Sequence, residues 1–397
     1  MIPYGRQNIN DADIQAVVDV LKSDFLTQGP VIPAFEKRLA EYCGAQYAVV
    51  VNSATSALHM ACLAAGLNAA GQLWTSPNTF VASANCGRYC GASVDFVDID
   101  PQTYNLSPHA LQVKLAQAVE KGTLPSVLIP VHFAGQSCEM KSIHQLAKQH
   151  GVTVIEDASH VVGGGYLNTK IGSCEFSDMT VFSFHPVKII TTGEGGAVLT
   201  NREDLYEKLL LLRSHGITRD PALMTQETDG PWYYQQLELG YNYRMTDIQA
   251  ALGLSQMDRL DEFVARRRYL AARYQERFRQ EYSTLPITLP YQHPDTDSAW
   301  HLFVIRLNSM TKQQHRQVFA QLRERGIGVN LHYIPVHTQP YYQQLGFQWG
   351  DFTEAERYYH EAISLPLYYD LTEEQQDKVL NTLKQCVDNV LQTEAAC

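Results

Sequence analysis

Residues 181–197 read VFSFHPVKIITTGEGGA: an apolar run, a lysine at position 188, and a glycine-rich close. Burying an unpaired ammonium group is costly. Lys188 is therefore either a surface residue between two hydrophobic runs or a group set there for its chemistry. The glycines allow tight turns and close backbone approach. They do not form a phosphate loop of the G-x-x-x-x-G-K-S/T kind, because no Lys-Ser or Lys-Thr follows Gly196. Nucleotide hydrolysis is thereby disfavoured, and the rest of the chain decides between the two readings.

Outward from this stretch, short β-branched runs alternate with helical ones. QYAVVVNS (46–53) reads as a buried strand and ATSALHMACLAAGL (54–67) as the helix that follows it. QLWTSP (72–77), SVDFVDID (93–100) and SVLIPVHFAG (126–135) are strand-like, EMKSIHQLAKQHG (139–151) is helical, and VTVIEDASH (152–160) is a strand ending in polar residues. Strand and helix in this rhythm predict an α/β fold, a mostly parallel sheet with helices on both faces. Ligands in such sheets gather where strands end. One long helical pattern spans 246–282, and beyond it AWHLFVIRL (299–307), a helix near 311–326 and a closing helix near 372–391 suggest a smaller α+β domain. The expected division is 1–250 for the large domain and 251–397 for the small one. Residues 219–236 lack periodicity and read as a loop near a dimer interface.

Composition sets further bounds. The 397 residues are 45% hydrophobic, enough for a sizeable core, and the net charge of -11 comes without a basic stripe. Nucleic acid is therefore not expected as a partner. No apolar run is long enough to span a bilayer and the N-terminus lacks signal-peptide features, so a cytoplasmic protein without a membrane partner is expected. The eight cysteines are scattered without a C-x-x-C pair, which favours free thiols over zinc. His132, His185, His332 and His337 match no ligand spacing either, and no metal is expected.

Four features sit at expected strand ends. Ser53, Ala54 and Thr55 open a helix, where free amides and the helix dipole suit a phosphate, although an ordinary cap would look the same. Asp157 ends an apolar strand. Phe80, in SPNTFVASAN, lies at another strand-to-helix junction, where core packing is its default role. Lys188 follows Ser183 and His185. Together these are the parts that pyridoxal 5'-phosphate (PLP) requires: a lysine amine for covalent attachment, a carboxylate for the pyridinium nitrogen, a helix N-terminus for the phosphate, and an aromatic cover.

EDASH followed by FSFHPVKIITTGEGGAVLTN resembles the sugar aminotransferases of the DegT/DnrJ/EryC1/StrS family, which share the aspartate-aminotransferase (PLP fold type I) architecture. The likeness extends over nearly the whole chain, through DFLTQGPVIPAFEKRLAEYCGA, VNSATSALHMACLAAG, VHFAGQ, LGYNYRMTDIQAALGLSQ and RGIGVNLHYIPVH. It implies a large domain with a central, mostly parallel sheet and a smaller C-terminal α+β domain. It also implies that Lys188 is the covalent lysine and proton shuttle, and that Asp157 pairs with the pyridine nitrogen. His160 would contact the cofactor's 3-hydroxyl, Ala54, Thr55 and Ser183 its phosphate, and Phe80 its ring. Asn242 would reach the phosphate from a neighbouring subunit, giving a homodimer with shared active sites. Tyr4, Asp24, Phe25, Leu26, Thr27, Leu331, His332, Tyr333 and Ile334 would line the sugar-nucleotide site, to which Ala54, Ser183 and Asn242 also contribute.

Within the family, the opening segment, NSATSAL and FSFHPVKIITT most resemble the branch of the pseudaminic-acid pathway. That likeness implies transfer of an amino group from L-glutamate to C4 of a UDP-linked 4-keto-6-deoxy-HexNAc, giving UDP-4-amino-4,6-dideoxy-N-acetyl-β-L-altrosamine, with the cofactor cycling between its PLP and PMP forms. Relatives with histidine in place of the lysine dehydrate their substrates; the lysine here favours amino transfer. The alternatives are another keto nucleotide sugar, or a non-catalytic regulatory protein that keeps the fold, whose mark would be loss of Lys188 or Asp157; both are present here.

Overall fold

The structure, a computed structural model, describes residues 1–395; Cys397 lies outside the described residues. Seven strands form the central sheet, in the spatial order Tyr47–Val51, Gly196–Thr200, Met179–Ser183, Thr153–Asp157, Val127–Ile129, Gln72–Thr75 and Ser93–Phe96. Gly196–Thr200 runs antiparallel to both of its neighbours. The ladders among the remaining strands are parallel.

Alternate residues of the edge strand enter two different cores, as a pleated strand buried on both faces requires. Ala48 and Val50 pack with Phe35 and Leu39 of the helix Val31–Cys43. Val49 and Val51 pack with Leu58 and Ala61 of the helix Ala54–Ala64. The mostly parallel sheet with helices on both faces is thus present, and the strand expected over 126–135 is shorter, Val127–Ile129, followed by a 3-10 turn at Phe133–Gly135.

A third core surrounds the strand Phe303–Leu307, flanked antiparallel by Ile287–Thr288 and Ala362–Leu365 and covered by the helices Lys312–Glu324 and Glu373–Ala395. The N-terminus joins this part of the molecule. Ile2 bridges Ile327, and the Leu367 amide donates to the Tyr4 carbonyl at 3.0 Å.

The single helical pattern read over 246–282 is corrected to two helices, Asp247–Met257 and Leu260–Glu281. The break falls at Asp258–Arg259, where Arg259 leaves helical geometry (φ -110°, ψ 5°) and its guanidinium donates to Asn8 Oδ1 and Asp13 Oδ2, both at 2.6 Å. The second helix is 22 residues long, about 33 Å at the usual rise. Its Leu260, Phe263 and Val264 belong to the core that holds Phe35, whereas Leu270, Ala271, Tyr274 and Phe278 belong to the core around Phe303. No helix among the described residues is long and apolar enough to cross a membrane.

Candidate active site

The parallel strands end along one edge of the sheet, and a cavity of about 580 Å3 opens there. Asp157 and Ser183 are the last residues of adjacent strands, and both line it. Lys188 projects into the same cavity from the excursion between Ser183 and Gly196. That excursion is pinned by Phe184 N–H to Gly195 O at 2.9 Å and by Thr192 N–H to Phe184 O at 3.0 Å. The Lys188 Nζ makes no hydrogen bond or ion pair among the described residues. Enclosure by protein pulls its pKa down to about 8, against the opposing pull of Asp157. The lysine of the opening stretch is therefore neither a surface residue nor an unpaired charge in a core. It is an amine poised near neutrality in a cavity.

Asp157 is held by neutral donors. Ser83 Oγ donates to Oδ2 at 2.6 Å, and Ser159 donates to Oδ1 through its hydroxyl at 2.6 Å and its amide at 3.1 Å. Three imidazoles surround this pair. The Ala134 amide donates to His160 Nδ1 at 3.3 Å, which leaves the proton on Nε2, facing the Tyr333 hydroxyl at 3.1 Å. Burial, reinforced by Lys188 and His332, holds His160 neutral. His332 sits between Ser364 Oγ at 2.8 Å and Asn330 Nδ2 at 3.2 Å, and burial with Lys188 pushes its pKa down to about 3. His301 lies 4.4 Å from the His160 ring centre, and burial again depresses its pKa.

The helix Ala54–Ala64 aims its N-terminus at the cavity. Ser53 caps it by accepting from the Ser56 amide at 3.1 Å, which leaves the first-turn amides of Ala54 and Thr55 facing the cavity. Gly196 makes this placement possible, because a Cβ there would lie 2.6 Å from the Ala54 nitrogen. The last glycine of the opening stretch thus lets the antiparallel strand start directly against the helix N-terminus.

The cavity brings together Tyr4, Ala54, Thr55, Phe80, Asp157, His160, Ser183, Lys188, Leu331, His332 and Tyr333. Phe80 stands at its rim, 58% exposed, 6.1 Å from the Tyr333 ring centre. Asp24, Phe25, Leu26, Thr27, Asn242 and Ile334 do not line it and are exposed. The 24–27 segment is tied to the start of the helix Asp247–Met257, where the Asp247 amide donates to the Leu26 carbonyl at 3.0 Å and Thr27 bridges Thr246. Sequence reasoning missed Ser83, Ser159 and His301. Ser83 falls within the quoted SPNTFVASAN, yet nothing local tied it to a carboxylate 74 residues away.

These residues fit PLP. The amides of Ala54 and Thr55 suit a phosphate, Asp157 suits a protonated ring nitrogen, and the Lys188 amine is free to attach. The Nδ1 of His301 is buried with no hydrogen-bond partner, as expected of a group that faces a ligand.

The DegT/DnrJ/EryC1/StrS aminotransferase family profile matches residues 7–384. The spore coat polysaccharide biosynthesis protein SpsC of Bacillus subtilis (strain 168) is 40% identical over 390 residues, 97% of each chain. The UDP-4-amino-4,6-dideoxy-N-acetyl-beta-L-altrosamine transaminase of Campylobacter jejuni subsp. jejuni serotype O:23/36 is 37% identical over 394 residues, 98% of each chain. Among solved structures, Helicobacter pylori PseC, an aminotransferase involved in the biosynthesis of pseudoaminic acid, aligns with a TM-score of 0.88 at 31% identity, covering 98% of this chain and 99% of its own.

Proposed function

The chain belongs to the DegT/DnrJ/EryC1/StrS aminotransferase family, and from that premise we propose that it is the PLP-dependent 4-aminotransferase of pseudaminic acid synthesis. It moves the amino group of L-glutamate to C4 of a UDP-4-keto-6-deoxy-N-acetylhexosamine, giving UDP-4-amino-4,6-dideoxy-N-acetyl-β-L-altrosamine. The observation that carries this reading is the pairing, in one cavity, of a lysine whose pKa is drawn to about 8 with a carboxylate fixed by serines.

When bound, the cofactor supplies an electron sink that stabilises negative charge at the carbon losing a proton. The chain's residues supply the rest. Asp157 would hold the ring nitrogen protonated, and the amides of Ala54 and Thr55 would hold the phosphate at the positive end of the helix dipole. Freed from covalent attachment, the Lys188 amine takes the α-proton of glutamate and returns a proton at C4 of the sugar, which suits a pKa near the working pH. His160 donates from Nε2 toward Tyr333 and so fixes the part of the cavity wall that would meet the cofactor's 3-hydroxyl. The chemistry is ping-pong, because glutamate and the keto-sugar would use the same cavity in turn: 2-oxoglutarate leaves, its amino group remaining with the cofactor, before the sugar binds.

Asn242 and the 24–27 segment are exposed and lie away from this chain's own cavity. Their placement supports a homodimer in which they complete the partner's site. A cytoplasmic location follows from the same reading, since both substrates are cytoplasmic metabolites.

The test is the visible spectrum of the purified holoenzyme. L-glutamate should remove the band of the lysine-bound cofactor, and the UDP-4-keto-sugar should restore it with formation of the 4-amino sugar. An unchanged spectrum with glutamate would overturn the aminotransferase reading. The 40% identity to the spore coat protein favours one second reading, the same chemistry on another keto nucleotide sugar. The C4 configuration of the product, read by NMR, separates the two.

A further inference from the structure

The described cysteines are all free thiols. Burial pushes the thiols of Cys43, Cys138 and Cys174 up, which leaves them inert. Three others gather where the helices Ala54–Ala64 and Ala82–Tyr89 pack together. Cys62 and Cys86 lie 3.7 Å apart, sulfur to sulfur. Cys90, the C-cap of the second helix, follows Cys86 by one turn and also meets the Cys62 thiol. Cys62 and Cys86 are buried, whereas Cys90 keeps part of its surface exposed.

His59 stands one turn before Cys62 on the first helix. The rings of Tyr89, Tyr241 and Tyr243 enclose it at 4.9 to 6.0 Å between centres, and its Nδ1 lies 3.1 Å from the Tyr243 hydroxyl. Its Nε2 is buried and has no hydrogen-bond partner among the described residues. A helix C-terminus disfavours an anion. The Cys90 thiol is nevertheless pulled down to about 6, by its contact with the Cys62 thiol and, against burial, by His59. The Cys62 thiol moves the other way, raised by Cys86, Cys90 and burial, and keeps its proton. No group of three or more ligating side chains among the described residues is set to hold a metal ion.

We propose that Cys90 and Cys62 form an oxidisable dithiol, a modification site for hydroperoxides. The sulfur of Cys90 attacks one peroxide oxygen; the O–O bond breaks, the other oxygen leaves as hydroxide and takes a proton to become water, and Cys90 becomes a sulfenic acid. The sulfur of Cys62 then attacks that of Cys90. The S–O bond breaks, the oxygen leaves as water with the Cys62 proton, and an S–S bond forms. The two sulfurs have given two electrons to the peroxide, and a dithiol reductant returns them. The disulfide ties the helix whose first turn faces the main cavity to the helix that carries Ser83, at the ends that lie away from the cavity. None of this depends on the amino-transfer chemistry.

Reduced holoenzyme is treated with hydrogen peroxide, digested, and read by mass spectrometry. The intact holoenzyme is the sample because Asn242, next to Tyr243, is assigned above to the partner subunit's site, and access to Cys90 has to be measured in that assembly. The wild type should give a Cys62–Cys90 linkage that dithiothreitol reverses. Cys62→Ala should leave Cys90 as a sulfenic acid trapped by dimedone, and Cys90→Ala should leave Cys62 unlinked. His59→Phe, with its thermal midpoint measured alongside, should slow alkylation of Cys90 by iodoacetamide at neutral pH several-fold. Wild-type Cys90 that is alkylated no faster than the other thiols would overturn the proposal. So would a peroxide-treated wild type that forms no linkage, or one that joins Cys62 to Cys86 instead.

Discussion

Ser83 and Asp157 are joined by a 2.6 Å hydrogen bond from the serine hydroxyl to Oδ2. Ser83 belongs to the helix Ala82–Tyr89 and Asp157 to the end of a central strand, so this bond aims the carboxylate from an element that packs beside it. With Ser159 on the other oxygen, the carboxylate direction is set entirely by neutral donors. Ser83→Ala should lower kcat/KM by about tenfold, the effect of one lost hydrogen bond on a misaimed group. Asp157→Asn should lower it much more, because the ring nitrogen loses its anion. Steady-state kinetics on both variants check the order, and an unchanged kcat/KM in Ser83→Ala would show that Ser83 does not position the carboxylate.

Lys188 titrates near pH 8 instead of near 10.5 because burial disfavours its charged form. The neutral amine, the form that attacks an aldehyde, therefore dominates above about pH 8 and is scarce below it. In stripped protein, the rate of covalent cofactor loading should climb with pH, with its midpoint near 8, and level off above that. A midpoint near 10.5 would mean that the amine is not enclosed as described. Lys188→Ala should load no cofactor covalently and turn nothing over, with its thermal midpoint preserved.

Gly196→Ala should push the strand Gly196–Thr200 and the helix Ala54–Ala64 apart, since the new Cβ would sit 2.6 Å from the Ala54 nitrogen. The expected cost is about 1–3 kcal/mol of stability, as for other overpacked contacts. The cofactor effect should be selective. Binding of PLP weakens because its phosphate site moves, whereas pyridoxal without the phosphate is affected less. Parallel titrations with the two compounds distinguish local displacement from general damage.

Asp13 is fully buried and accepts from Arg259 at 2.6 Å, Gln256 at 2.7 Å and Ser255 at 2.7 Å. Asp13→Ala strands the partly buried guanidinium and should cost about 3–5 kcal/mol by urea denaturation. Adding Arg259→Met should recover part of that loss, because the unpaired charge goes with it. A double variant less stable than Asp13→Ala would contradict this account.

The parts of the site that were legible in the sequence are those encoded within a few residues. The apolar strand ending at Asp157, the serine cap at the start of a helix, and a lysine followed by glycines each have a local physical signature. That Asp157, Lys188 and Ser53 lie at strand ends followed from the strand–helix alternation, whereas the order of the strands and the antiparallel placement of Gly196–Thr200 did not. What stayed hidden was pairing over long separations. Ser83 and Asp157 are 74 residues apart, and His160 meets Tyr333 across 173. The break in the helical pattern at Asp258–Arg259 was equally hidden, and the Asp13 carboxylate that binds Arg259 there is 246 residues away. The 24–27 segment and Asn242 carry motif likeness, yet their place relative to a cavity is a matter of assembly.

The helix Leu260–Glu281 has its first turns in one core and its last turns in another, and it runs unbroken between them. For chimeras this means there is no hinge loop at which to exchange the C-terminal part for that of a relative. A graft must be spliced within a helical turn, in register with two sets of packing at once. Proteases face the same obstacle. A cut between the two cores has to begin by unwinding a helix whose ends are anchored in separate hydrophobic interiors, so tryptic digestion should trim surface segments before it divides the molecule.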